Sequence, residues 1–185
     1  MIEALLWYRG LTGRQLAEAA GVSPSWISRL AEGGYAHKLS LITRIAIVLR
    51  VSVPVLVYGP EYLGDSALAR PSMYSVGQFD RGEAARRLGR LVRLERQARN
   101  LEAARFARPI SMHKNQLSGI ERGAWRDLTL RTVSRLGVAI DRSSPVAAAA
   151  RLMRAYAGEP DPRTGAPPRA LGRPLLVVLH GGGGS

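Results

Sequence analysis

The side chains able to do covalent or acid–base chemistry are few and scattered. Cysteine is absent, which removes disulfides, thiolate zinc sites and cysteine nucleophiles together. His37, His113 and His180 are scattered, and Glu32, Glu121 and Glu159 form no spaced carboxylate pair. Gly21-Val22-Ser23-Pro24-Ser25 lacks the closing glycine of a nucleophile elbow. The terminal GGGGS carries no Lys-Ser and is not a phosphate loop. It reads as an appended flexible linker and is left out of the fold reading. The expectation is no catalysis, no metal and no cofactor. Positive charge, by contrast, is abundant: 27 Lys and Arg against 14 Asp and Glu give a net charge of +13. A small protein this basic usually has a polyanionic partner, most often nucleic acid. The bland alternative is a compositional bias, since Ala, Arg and Gly are also frequent.

The elements that must carry this charge can be read along the chain. Apolar content of 46% suffices for a packed core. The aliphatic run from Leu175 to Leu179 is far too short for a membrane span, and the start lacks a basic leader region. A soluble, cytoplasmic, nucleoid-associated protein is expected. Ile2 to Tyr8 reads as a short helix. Thr12 caps the next, which runs to Ala20 with Leu16, Ala17 and Ala20 on one face. Gly21 suits the left-handed residue that ends a helix. Ser23 and Pro24 start a third helix, with Ile27 and Leu30 inward. Ser40 to Arg50 repeats the pattern at Ile42, Ile45, Ala46 and Leu49, and Val53 to Tyr58 follows.

Residues 60–79 are mixed, with Gly64, Asp65, Ser66, Pro71, Ser72 and Gly77, and read as a linker with one short helix. Stretched, about twenty residues reach roughly 65–70 Å. Asp80 and Glu83 form a D-x-x-E capping box before a long helix to about Asn100. Ala84, Leu88, Leu91, Val92 and Ala98 lie towards one side of it. Arg86, Arg87, Arg90, Arg93, Arg96 and Arg99 surround the rest, as a solvated basic face or as a non-specific phosphate clamp. From Leu101 the first pattern returns. Phe106-Ala107 matches Leu16-Ala17, Met112 matches Val22, Leu117 matches Ile27 and Ile120 matches Leu30, all 90 positions on. Thr129 to Asp141 matches the Ile42 to Leu49 helix after a loop one residue longer. A fixed offset over this many core positions indicates internal duplication. Ser144-Pro145 opens a last helix, and residues 158–185 form a tail.

Two short helices crossing steeply about a tight turn make a helix-turn-helix. Its second helix protrudes and can enter a DNA major groove, where each base pair shows a distinct donor and acceptor pattern. Leu11-Thr12, Leu16-Ala17, Gly21-Val22-Ser23, Ile27-Ser28-Arg29-Leu30, Gly33, Ile45-Ala46, Leu49 and Val51-Ser52 resemble the XRE family of phage-repressor-like DNA-binding domains. The second unit is similar through Leu88-Gly89-Arg90-Leu91, Leu101, Phe106-Ala107, Leu117-Ser118, Ile120-Glu121-Arg122-Gly123 and Arg135-Leu136-Gly137. The resemblance implies an all-α protein of two tandem five-helix domains. The first would occupy residues 1–59, the linker 60–79, the second with flanking helices 80–157 and the tail 158–185. It also implies sequence-specific binding of double-stranded DNA; a transcriptional regulator, a repressor rather than an activator, is expected because the sequence shows no separate effector domain.

Carried over residue by residue, the resemblance places base-reading side chains at Ser25, Trp26, Ser28 and Arg29 in the first unit. In the second they are Lys114, Asn115, Gln116 and Ser118, with Gly119 exposed beside them. Asn and Gln can bond an adenine edge bidentately, and Lys can donate to guanine. Phosphate contacts fall to Arg14, Ser23, Lys38, Arg105, His113 and Arg126, with His113 also placed as a helix cap. The sequence departs from the family at Gly13 and Ala103, where a phosphate-binding glutamine is usual. Ala31 stands where an acidic residue is usual, and Ser111 where the turn has glycine. Pro109 ends its helix early. Either both units read DNA, or one, the first, serves as an interaction surface. Homodimerisation through the arginine-studded helix is a further expectation. Two other classes stay open: an antitoxin-like adaptor docking a protein partner with RPLLVVLH, from Arg173 to His180, and an architectural or replication-associated DNA binder.

Overall fold

A computed structural model describes residues 2–31, 37–59, 72 and 74–160. The tail stretch proposed as a docking peptide lies outside them, as does Gly33. The described residues are all-α, with one isolated β-bridge. In the first half lie α1 (Ile2–Arg9), α2 (Gly13–Ala20), α3 (Pro24–Ala31), α4 (Leu39–Leu49) and α5 (Val53–Tyr58). A 3-10 turn at Val76–Gln78 precedes α6 (Arg81–Gln97), α7 (Ala103–Ala107), α8 (Lys114–Glu121), α9 (Leu130–Ile140) and α10 (Pro145–Ala157).

Local chemistry accounts for the helix ends. Thr12 Oγ1 accepts from the Gln15 amide at 3.2 Å, and Gln15 Oε1 accepts from the Thr12 amide at 2.8 Å. This reciprocal pair satisfies two first-turn donors of α2. Gly21 ends that helix at φ 61°, ψ 44°. In the second half, α7 stops at Ala107 and the chain tightens into a 3-10 turn over Arg108–Ile110. Pro109 has no amide hydrogen to continue an α-helix. Ser111 then takes the left-handed role at φ 49°. At the start of α6, only half of the expected box forms. Asp80 Oδ1 accepts from the Glu83 amide at 2.7 Å, but the Glu83 carboxylate accepts from Arg87 Nη1 at 2.8 Å.

The halves repeat in register. Adding 90 to α3, Pro24–Ala31, gives α8, Lys114–Glu121. The same step takes α2 onto α7 with its 3-10 turn, Gly13–Ala20 onto 103–110. Adding 91 takes α4, Leu39–Leu49, onto α9, Leu130–Ile140. Left-handed residues fall in matching places, at Gly10 and Asn100 and at Gly21 and Ser111. Buried positions match too: Leu16, Ala17 and Ala20 against Phe106, Ala107 and Ile110, and Ile27 against Leu117.

The halves meet along a seam. Lys38 and Thr129 form an antiparallel bridge. The Leu39 amide donates to Leu128 O at 2.7 Å, and the Leu130 amide donates to His37 O at 3.0 Å. Adding 91 to 37, 38 and 39 gives 128, 129 and 130, so each of these bonds is the counterpart of the other. Ser40 Oγ donates to Asp127 Oδ1 at 2.6 Å. Further along, α5 packs on α10, and Glu159 Oε1 accepts from the Val53 amide at 2.7 Å. One buried cluster runs through both halves, from Ile2 to Ala157. The full stretch of a free tether therefore does not set the separation of the units. Residues 74–79, assigned to the linker from sequence, pack on both halves, the 3-10 turn lying against α4. Phe79 lies 5.8 Å from the Tyr156 ring, and the Arg87 guanidinium lies 5.3 Å from the Tyr74 ring.

Candidate nucleic-acid interface

The α2–α3 pair is held by a buried wedge of Leu16, Ala17, Ala20 and Ile27. The small Ala17 lets the two helices approach closely. The outer side of α3 stays in solvent: Ser23, Ser25, Ser28 and Arg29 are exposed. Ser23 Oγ and Ser25 Oγ lie 3.1 Å apart, and Arg29 Nε donates back to Ser25 O at 3.4 Å. Trp26 is half-buried and meets His37 edge-on, ring centroids 4.9 Å apart. It packs against the approach to the seam. Burial, and then the charge of Arg29, hold the His37 pKa below its ordinary value.

In the second half His113 caps α8, its Nδ1 accepting from the Asn115 amide at 3.2 Å. Lys114 and Asn115 are exposed, while Gln116 and Ser118 are half-buried. Gly119, expected beside them in solvent, is buried. Trp125 folds over it, and a Cβ there would lie 2.7 Å from Trp125 Nε1. The available reading surface of α8 is therefore its first turn and a half. Arg14, Arg105 and Arg126 are exposed. Lys38 lies on the seam, its Nζ 3.6 Å from Asp127 with the side chain 61% exposed.

The arginine-studded α6 does less in solvent than its sequence suggests. Arg87 is buried and donates to Ala155 O at 3.0 Å and Tyr156 O at 2.9 Å. Arg96 grips Glu121 with two bonds, 2.7 and 3.0 Å, and donates to Leu101 O at 2.7 Å. Arg93 lies 3.7 Å from Glu121, and Arg99 pairs with Glu95 at 2.7 Å. Arg86 and Arg90 are exposed. Ala98, expected on the apolar side, is exposed as well. A guanidinium already committed to a carbonyl or carboxylate is a poor phosphate clamp, so much of this helix holds the second half together.

Two arginines to which sequence reasoning gave no structural role lie at the turns. Arg135 on α9 donates to Ile110 O and Ser111 O, its Nε at 2.8 Å from Ile110 O. Arg44 on α4 lies over Gly21, so close that a Cβ there would meet its guanidinium. Arg44 and Arg135 are 91 positions apart, the α4-to-α9 offset, and that spacing was the available signal.

A short helix, a left-handed turn and a second helix with a solvated polar face define a helix-turn-helix. Residues 7–57 match the family of helix-turn-helix domains. The matched segment ends within α5. No curated protein and no solved structure matches the chain. No described helix is long and apolar enough to cross a membrane, and no metal-ligating cluster occurs among the described residues.

Proposed function

We propose that the chain is a sequence-specific regulator of transcription that binds double-stranded DNA and acts as a repressor in the cytoplasm, without catalysis. The observation that carries this reading is the exposed outer face of α3 within the helix-turn-helix match, on a chain of net charge +13. In this reading α3 enters a major groove. Arg29 and the α3 serines meet base edges, while Arg14, Ser23 and Lys38 meet phosphates. We read α7 and α8 as a second helix-turn-helix, on the strength of the matching offsets and left-handed turns. Its Lys114, Asn115 and Gln116 offer the richer donor and acceptor set, with Arg105, His113 and Arg126 for the backbone.

The test is selection of bound sites from a random duplex pool at near-physiological salt. An enriched motif supports a sequence-specific regulator. Binding without enrichment that vanishes steeply as salt rises overturns that reading in favour of an architectural role. Repression is read separately, as lowered transcription from a promoter carrying the selected site.

A further inference from the structure

We propose that one chain acts as a built-in pseudo-dimer, and that its target is a duplex site of two unlike halves at fixed spacing, bound by one molecule. This rests on the DNA-binding reading above and specifies the ligand of that surface. The argument begins at the seam. Residues 37, 38 and 39 pair with 130, 129 and 128, each the 91-shifted counterpart of the other. Two segments that bond through equivalent positions, antiparallel and reciprocally, are related by a local two-fold axis through the Lys38–Thr129 bridge. A two-fold rotation leaves any component along its axis unchanged. Extended from the bridge to the two units that repeat in register, the same rotation would give the outer faces of α3 and α8 one inclination to that axis. Duplex DNA has local two-fold axes of its own, which paired recognition helices exploit when they bind two half-sites.

The chain lengths keep the two helices near this axis. Seven residue steps separate Ala31, the end of α3, from Lys38, and eight separate Glu121, the end of α8, from Thr129. At no more than about 3.3–3.6 Å per residue, each helix end lies within roughly 25–29 Å of the bridge. Half-sites in successive turns of one face are about 34–36 Å apart, which this reach accommodates. Beside the bridge Ser40 Oγ donates to Asp127, and elsewhere between the halves the Val53 amide donates to Glu159.

The symmetry stops at the reading surface. At the 90-step offset, Ser25 corresponds to Asn115 and Trp26 to Gln116, while Arg29 corresponds to the covered Gly119. A homodimer presents one set twice and selects a palindrome. This chain presents two chemically different sets, so its site is non-palindromic. The side that meets α8 offers adenine or guanine acceptors to Asn115, Gln116 and Lys114. The side that meets α3 is read mainly by Arg29.

The experiment uses the full chain. Sites are selected from a random duplex pool, and the mass of the complex on the selected site gives its stoichiometry. The same selection is run with S25A/S28A/R29A and with K114A/N115A/Q116A, whose folding is checked by circular dichroism. The expected result is one motif with two dissimilar halves and one chain per duplex. Each variant should lose preference in one half only and bind the full site about tenfold or more weakly, since each good base contact carries about 1–3 kcal/mol. Inserting five base pairs between the halves turns one to the opposite face, and should weaken binding at least tenfold. Two chains per site, a palindromic motif, an indifferent variant or tolerance of the insertion would overturn the inference while leaving a DNA-reading protein. Absence of any motif for the unaltered chain would overturn the underlying reading instead.

Discussion

In the first half, α1 lies against its domain through Leu5 and Leu6, partly buried apolar side chains on the common core. In the second, the residue 90 positions after Leu6 is Arg96, which forks onto Glu121 at the end of α8. The residue 90 before Glu121 is Ala31. The second half thus ties its leading helix to α8 by an ion pair, at positions where the sequence of the first half has Leu6 and Ala31. A buried ion pair that replaces an apolar contact adds little net stability, but losing one member leaves an unpaired charge. The second half is therefore the one whose α8 can be disturbed by removal of a single carboxylate.

The sharpest test of that difference is Glu121→Ala. The Glu121 side chain is 5% exposed and that of Arg96 16%, so removing the carboxylate strands a guanidinium that is largely out of water. A loss of about 3–5 kcal/mol is expected in urea denaturation. The double variant R96L/E121A puts the residue types of the first half at both positions and leaves no unpaired charge, so it should recover much of that loss. A double variant as unstable as the single one would show that the stranded guanidinium is not what destabilises the fold.

The next effect lies between the halves. Glu159 is buried, with one carboxylate oxygen on the Val53 amide and the other without a hydrogen-bond partner among the described residues. Burial raises its pKa from 4.5 to about 8, against the opposing pull of the Val53 amide and the Arg154 charge. The folded chain therefore holds a proton that the unfolded chain releases above about pH 4.5. The stabilisation is fully present below that value and is lost as pH rises towards 8. Between pH 5 and 7 the expected fall is about 2–3 kcal/mol, near 1.4 kcal/mol per unit. Glu159→Gln keeps an acceptor for Val53 and cannot ionise, so its stability should change less across this window. Parallel pH profiles for the two proteins would show that the seam is not where the proton sits.

How much of this was open to sequence reasoning depends on what each contact is made of. The α2–α3 bend was legible because its parts are side-chain types in fixed places: a Thr cap, a small Ala at the crossing, Gly at the left-handed turn. Its return at Phe106, Leu117 and Ile120 was legible for the same reason. The seam was not, because the bonds at its centre join backbone groups of residues 37, 39, 128 and 130, and backbone bonds leave no mark on residue type. Arg87 and Arg96 look like any solvated arginine in a basic helix. Their burial depends on carbonyls of α10 and a carboxylate of α8 that the fold brings to them. Gly119 was placed outside by periodicity, and only Trp125 from the following loop covers it.

The smallest effect is expected at the two turns, and it carries opposite signs in the two halves. Gly21 and Ser111 both stand in left-handed conformation, φ 61° and 49°, under Arg44 and Arg135. That conformation costs an ordinary L-residue about 1–2 kcal/mol, so the second half carries strain that the first avoids. Ser111→Gly relieves it, but the glycine also frees the unfolded chain by about 0.4–1 kcal/mol. The net gain should be only about 0.5–1 kcal/mol. Gly21→Ser adds the strain and also drives a Cβ into the Arg44 guanidinium. That guanidinium is the mobile end of a long side chain and can swing away, so the loss should stay near 1–2 kcal/mol. Thermal melts of the two variants should move in opposite directions, Ser111→Gly upward and Gly21→Ser downward. If Ser111→Gly instead lowers the melting temperature, the bonds from Arg135 to the Ile110 and Ser111 carbonyls are the restraint on that turn, and a looser backbone at 111 weakens their hold.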